Sequence, residues 1–130
     1  MADLFKAFAV SASGMDAQSR RMRHIAENVA NADTPGYRRK TIPFDAVMDR
    51  KTGVTRVEAG PVQLDRRELP RIYDPAHALA DADGFYQGST VDLMVELADA
   101  REASRSYDAN LRLFDQARTM AQGLIELLRR

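Results

Sequence analysis

His24 and His77 are the side chains best suited to proton transfer or metal binding near neutral pH. Neither has a second His at ligand spacing, and the chain has no Cys to complete a site. His24 stands beside Arg23 and Glu27 in a helical pattern, where a solvated surface imidazole is expected. His77 follows Asp74-Pro75 and belongs to a loop. Asp81, Asp83 and Gly84 have the look of a calcium loop. Setting Gly84 on such a loop's invariant glycine, however, puts Leu79 at the first ligand position and Thr90 at the last, where a carboxylate is required. There is no phosphate-cradling Gly-rich loop and no nucleophile elbow. Carboxylates beside arginines, such as Glu102 with Arg101 and Arg105, read as solvated charge. The expectation is no catalytic residue, no cofactor and no metal.

Two basic clusters, Arg20-Arg21-Met22-Arg23 and Arg38-Arg39-Lys40, could reach phosphates, with Tyr37 the one aromatic near enough to stack. The whole chain carries 19 basic and 19 acidic groups in 130 residues. That balance argues against nucleic-acid binding, whose footprint is a net basic domain. Residues 1–40 hold seven bases and four acids and the rest twelve and fifteen, an unevenness that could help neighbouring subunits register. No apolar run approaches the ~18 residues needed to cross a bilayer, so the chain is not expected to be membrane-inserted. Leu4 to Val10 followed by Ser11-Ala12-Ser13 mimics a signal peptide and its cleavage site. Asp3 and Lys6 are wrong for one, and the helical pattern runs through the supposed cut, so no cleavage is expected.

The elements that would position these groups are two helices. Phe5, Phe8, Ala12, Met15, Ser19, Met22, Ala26 and Val29 fall on one heptad track, with Ile25 beside it. Leu93, Leu97, Ala100, Ser104, Tyr107, Leu111, Phe114, Ala121, Ile125 and Leu128 fall on another. Each spacing predicts a helix that wants a partner along its length. The first helix is expected over 3–30, capped by Asp3 and stopped by Asp33-Thr34-Pro35-Gly36. Gly14 is its weak point, although small residues at Ala12 and Gly14 would let a neighbouring helix come close. The second is expected over 91–129, with Ser89, Thr90 and Asp92 as cap candidates.

Between them, proline and glycine punctuate short β-like runs: Ile42 to Val47, Val54 to Val57, Val62 to Leu64 and Leu69 to Tyr73. Lys51-Thr52-Gly53 and Ala59-Gly60-Pro61 read as turns. The expected fold is mainly α, with two long terminal helices packed as an antiparallel coiled-coil-like pair. An extended or short β-hairpin middle segment joins them. The division is residues 1–32, 33–90 and 91–130.

Leu113, Ala117, Met120, Leu124 and Leu127 make a second apolar stripe on the second helix. One antiparallel partner cannot cover both stripes, so a wide face stays open for other molecules. The expected assembly interface takes Phe8, Ala12, Met15, Met22 and Ile25 from the first helix. From the second it takes Leu111, Phe114, Met120, Leu124 and Leu128. Asn28, Asn31, Arg105, Tyr107 and Asn110 are polar groups on or beside these tracks, where they would fix register and partner choice. A stand-alone helical hairpin that clamps one partner helix is the alternative.

Three stretches resemble the axial rod and hook proteins of the bacterial flagellum, most closely the proximal-rod members. The first is Ser11-Ala12-Ser13-Gly14-Met15 through Arg21-Met22-Arg23-His24-Ile25-Ala26-Glu27-Asn28-Val29-Ala30-Asn31-Ala32. The second is Tyr37-Arg38-Arg39-Lys40. The third is Ala78 to Phe85, then Val91-Asp92, then Ala103-Ser104-Arg105-Ser106-Tyr107-Asp108-Ala109-Asn110. The turn from Ala32 to Tyr37 is shorter than in most proximal-rod members and looks like that of sibling rod subunits. The resemblance implies a structural part of the drive shaft in the basal body, with copies of itself and other rod subunits as partners. It also implies contact with the junction of the MS-ring and export gate, and unfolded export by the flagellar type III apparatus into the periplasmic rod.

Overall fold

The computed structural model describes residues 2–130. Helix α1 spans Ala2–Ala30 and helix α2 spans Leu93–Arg129. Six short strands lie between: β1 Lys40–Thr41, β2 Phe44–Met48, β3 Thr55–Ala59, β4 Gln63–Leu64, β5 Arg71–Tyr73 and β6 Phe85–Gln87. They pair as three separate antiparallel ribbons, β1 with β4, β2 with β3 and β5 with β6. The mainly α architecture with a β-containing middle is as expected. The runs read as strands are shifted by up to two residues, and β1 and β6 are additions. Ala59-Gly60-Pro61 is not a free turn, because the Gly60 N–H donates to Pro43 O at 2.8 Å and extends the β2–β3 ladder.

Local chemistry sets the helix ends. Helix α1 already includes Ala2, so Asp3 is not its cap; it lies in the first turn, where its charge still suits the helix dipole. At the far end, Asn31 Nδ2 donates to Glu27 O at 2.8 Å and Thr34 Oγ1 donates to Asn31 Oδ1 at 3.1 Å. Gly36 then takes a φ of 74°, which costs a glycine nothing. Of the three cap candidates for α2, Asp92 does the work, accepting from Met94 N at 2.9 Å. Ser89 and Thr90 instead tie down the chain after α1. Ser89 Oγ donates to Ala32 O, and Thr90 Oγ1 accepts from Arg39 N.

The helices run antiparallel. Phe8 meets Phe114 edge to face at 4.9 Å, Gly14 faces Asn110, and Arg21 reaches Asp99 and Glu102, each at 3.5 Å. The seam keeps about half of each expected track, Phe8, Met15 and Met22 on α1 and Ala100, Tyr107, Phe114 and Ala121 on α2, and replaces the other half. The buried positions are Ser11, Gly14, Ala17, Ile25 and Asn28 on α1 and Glu96, Ala103 and Ala117 on α2. On α2 the expected Ala100, Tyr107, Phe114 and Ala121 are half-buried, but Leu97, Leu111 and Ile125 are exposed. Glu96, Ala103, Asn110 and Ala117, on the neighbouring heptad position, take their place. Ala12 is exposed, and Phe5 is 65% exposed. The physical reason is interaxial distance. Small side chains let two helices approach, and bulky ones at the same positions would hold them apart.

Gly14 shows how close the approach is. A Cβ there would lie 2.7 Å from three atoms of the Asn110 side chain. Gly14→Ala gains about 1 kcal/mol of helix propensity but forces overpacking that costs about 1–3 kcal/mol. The single variant is expected to unfold at lower urea than wild type. Adding Asn110→Ala should restore the midpoint, since it removes the clashing atoms.

The β2–β3 hairpin lies along α1. Val57 N donates to Ser13 Oγ at 3.2 Å, and Ser13 Oγ donates to Val10 O at 2.8 Å. The buried apolar residues among those described are Ala17, Ile25, Val54, Ala103 and Ala117. Three of the five are alanines, so the interior is small and polar groups must hold much of the structure.

Candidate assembly faces and the polar clamp

Arg39 leaves the first ribbon and enters the start of the helix pair. Its Nε donates to Glu96 Oε1 and its Nη2 to Asp99 Oδ2. Glu96 is fully buried, and its Oε2 has no hydrogen-bond partner. Asp99 also faces Arg21. This clamp joins the middle segment to both helices.

Asn28 does a second job of the same kind. It is 0% exposed. Its Nδ2 donates to Lys40 O and its Oδ1 accepts from Lys40 N, both at 2.9 Å. The amide therefore exchanges two hydrogen bonds with one residue, as a neighbouring strand would. Tyr37 Oη donates to the same Oδ1 at 2.9 Å, and burial raises the phenol's pKa.

The rest of the second basic cluster is also engaged within the chain. Arg38 Nη1 donates to Asp65 O and Arg67 O at 3.0 and 2.7 Å. Lys40 Nζ lies 3.2 Å from Glu27 Oε2 and lowers that carboxyl's pKa. Hydrogen bonds from Arg67 hold Asp65 at a pKa of about 2. In the first cluster Arg20 pairs with Asp16 and Arg21 with Asp99 and Glu102. Arg21, Arg38, Arg39 and Lys40, which could have met phosphates, instead hold the subunit together, while Arg20 and Arg23 are exposed.

His77 stacks on Tyr86 with ring centroids 3.9 Å apart, and its Nδ1 accepts from Leu79 N. Asp81 Oδ1 accepts from Asp83 N and Phe85 N at 2.9 and 3.0 Å, which closes the loop before β6. Among the described residues no cluster of His, Asp and Glu is placed to hold a metal ion.

The residues expected at the interface divide into two sets. Ile25 and Asn28 are buried within the subunit, and Phe8, Met15, Met22, Asn31, Tyr107, Asn110 and Phe114 are half-buried. Ala12, Arg105, Leu111, Met120, Leu124 and Leu128 are exposed. Of the exposed set, Met120 and Leu124 lie on one open face and Leu111 on another. On one side of the seam, Leu4, Ala7, Val10, Leu113, Met120, Leu124 and Leu127 line an apolar groove of about 940 Å3. On the other flank of α2, Leu97, Leu111 and Ile125 stand 40–48% exposed. Arg39, Glu96 and Asp99 were not singled out from sequence as a clamp. The available signal was a pair of acids at i and i+3 near the start of a helix, with an opposite charge just after the first helix.

Two parts of the chain match described families. Residues 8–38 match the flagella basal body rod protein family, and residues 82–127 match the flagellar basal body rod FlgEFG protein C-terminal family. Along nearly its whole length the chain is similar to flagellar basal-body rod protein FlgC of Agrobacterium fabrum (strain C58). The two are 41% identical over 99% of this chain and 98% of that protein. The proteins of that name from Salmonella typhimurium (strain LT2) and Aquifex aeolicus (strain VF5) are 34% and 32% identical. Those alignments cover 90% and 97% of this chain and 92% and 98% of theirs.

Proposed function

The chain belongs to the FlgC family of flagellar basal-body rod proteins and is a structural rod subunit, and from that premise we propose how it serves in the rod. It is a non-catalytic piece of the proximal drive shaft, carrying torque between motor and hook. Copies of itself and other rod subunits cover its open faces. Its further contacts are the junction of the MS-ring and export gate, and the flagellar type III apparatus, which exports it unfolded. No helix of the described residues is long and apolar enough to cross a membrane. A free-standing binding hairpin and the sibling proximal-rod subunit are the weaker readings.

One observation carries the proposal: apart from Phe114, the bulky apolar side chains of α2 lie outside the subunit's own seam. Leu113 and Met120 are 56% and 58% exposed, and Leu127 is 66% exposed. A subunit that leaves so many leucines and methionines uncovered gains their burial from neighbours.

The test separates folding from assembly. Leu113→Asp with Met120→Asp should leave the isolated chain's far-ultraviolet spectrum and urea midpoint close to wild type, since both side chains are more than half exposed. Basal-body yield should fall to background and the cells should not swim, because the carboxylates would be buried without partners in every subunit. Gln122→Asp should be tolerated. Normal swimming by the double variant would overturn the proposal.

A further inference from the structure

Asp83-Gly84 is the chain's one Asp-Gly pair, and there is no Asn-Gly pair. Such a bond is prone to rearrangement, because glycine has no side chain to shield its nitrogen from the preceding carboxyl. The amide nitrogen of Gly84 attacks Cγ of Asp83. An N–Cγ bond forms and a Cγ–O bond breaks, and the amide proton leaves with the carboxyl hydroxyl as water. Water then opens the cyclic imide at either of its carbonyls. Opening at Cγ returns aspartate. Opening at the main-chain carbonyl leaves the chain running through Cβ and Cγ. That product is an isoaspartate, one backbone atom longer and unchanged in mass.

The folded turn before β6 keeps nitrogen and carboxyl from meeting. The Asp83 side chain is exposed, but Gly84 is buried. The Gly84 N–H donates to Asp81 O at 3.0 Å, and Gly84 O accepts from Asp74 N at 2.9 Å. On the other side, Asp83 N donates to Asp81 Oδ1 at 2.9 Å. The peptide unit between the two residues is therefore pinned from both ends. The glycine itself is required. Gly84 has a φ of 85°, and a Cβ there would lie 2.9 Å from Tyr73 Cε2 and 3.0 Å from Pro75 Cγ.

The same turn would not survive the rearrangement. Asp81 Oδ1 also accepts from Phe85 N at 3.0 Å, and Asp81 N donates to Phe85 O at 2.8 Å. An extra backbone atom between residues 83 and 84 falls inside this closed ring, next to the Tyr73–Phe85 pair that starts the β5–β6 register.

We infer that Asp83-Gly84 is an isoaspartate-forming site that the folded turn suppresses and that any unfolded interval opens. The bond records how long the chain has been unfolded, and a rearranged chain no longer closes the turn. The inference stands on the turn's own chemistry and is independent of the rod-subunit reading.

For the test, the full-length chain, its fold verified by far-ultraviolet spectra, is incubated in neutral buffer with and without denaturing urea. Isoaspartate is read by methylation with an isoaspartyl methyltransferase and located by fragment spectra of the peptide that holds residue 83. It should accumulate there at least about tenfold faster in urea. Asp83→Glu keeps the charge but lengthens the side chain past the favourable ring, and should give no such product at this position. Asp81→Ala removes the acceptor for Asp83 N and Phe85 N, so it should speed the reaction in plain buffer and leave the rate in urea unchanged. After urea is removed, rearranged chains should show faster amide exchange at Phe85 than unmodified ones. Equal rates with and without urea would overturn the inference, as would an Asp81→Ala chain as slow as wild type in plain buffer. No isoaspartate at residue 83 in urea would remove the site altogether.

Discussion

Arg39→Ala is expected to cost the subunit about 3–5 kcal/mol, the range for removing one partner of a buried ion pair. Stabilities of small domains are only about 5–15 kcal/mol, so the variant should lose a large share of its stability and unfold at much lower urea. The loss comes from Glu96, which is fully buried and would keep a charge with no counter-ion. Asp99 would retain only Arg21. Arg39→Lys should recover part of the loss, because a single ammonium cannot present two forked donors to two carboxylates. Arg39→Met combined with Glu96→Leu should return the midpoint close to wild type, since replacing both members of a buried pair with apolar groups is often neutral. Urea denaturation followed by circular dichroism reads all three. A wild-type midpoint for Arg39→Ala would mean the clamp contributes nothing.

Asn28→Leu is expected to cost about 2–5 kcal/mol by a different route. The side chain keeps its volume and loses its amide. Lys40 N, Lys40 O and Tyr37 Oη would then each need a new partner. Amide exchange at Lys40 should speed up by at least tenfold, while amides in the middle of α1 and α2 keep much more of their protection. Unchanged exchange at Lys40 would show that the asparagine does not hold the exit of α1. From sequence, this residue was expected to fix register between subunits. In the folded chain its hydrogen bonds are all to residues twelve or fewer positions away.

Both helices were legible because periodicity survives any choice of partner. The Asp92 cap and the stop after Ala30 were legible because caps and turns are local chemistry. The phase of the seam was legible only in half, through Phe8, Met15, Met22, Tyr107 and Phe114. A reading weighted by hydrophobicity follows Leu97, Leu111 and Ile125, but the subunit closes on Ala103, Asn110 and Ala117 because these are small. In a chain with several partners, the bulkiest apolar residues need not mark its own interior. The clamp was hidden for a related reason. Glu96 and Arg39 are 57 residues apart, and charges on a helix read as solvated until the fold brings an opposite charge to them. The three ribbons were seen as scattered strand-like runs. Two of them, β1–β4 and β5–β6, pair across long connections that no short-range turn signal marks.

The pairing of α1 with α2 also governs when folding can finish. During synthesis, α1 leaves the ribosome with its seam partner still unmade. About 100 residues separate the end of α1 from the end of α2, and at ~5–20 residues per second they take about 5–20 s to appear. A lone amphipathic helix is marginal in water. For that interval the first segment stays largely unwound, and Glu96 is not yet there to receive Arg39. A nascent chain is thus kept loose by its own topology, and becomes rigid only when both ends are present.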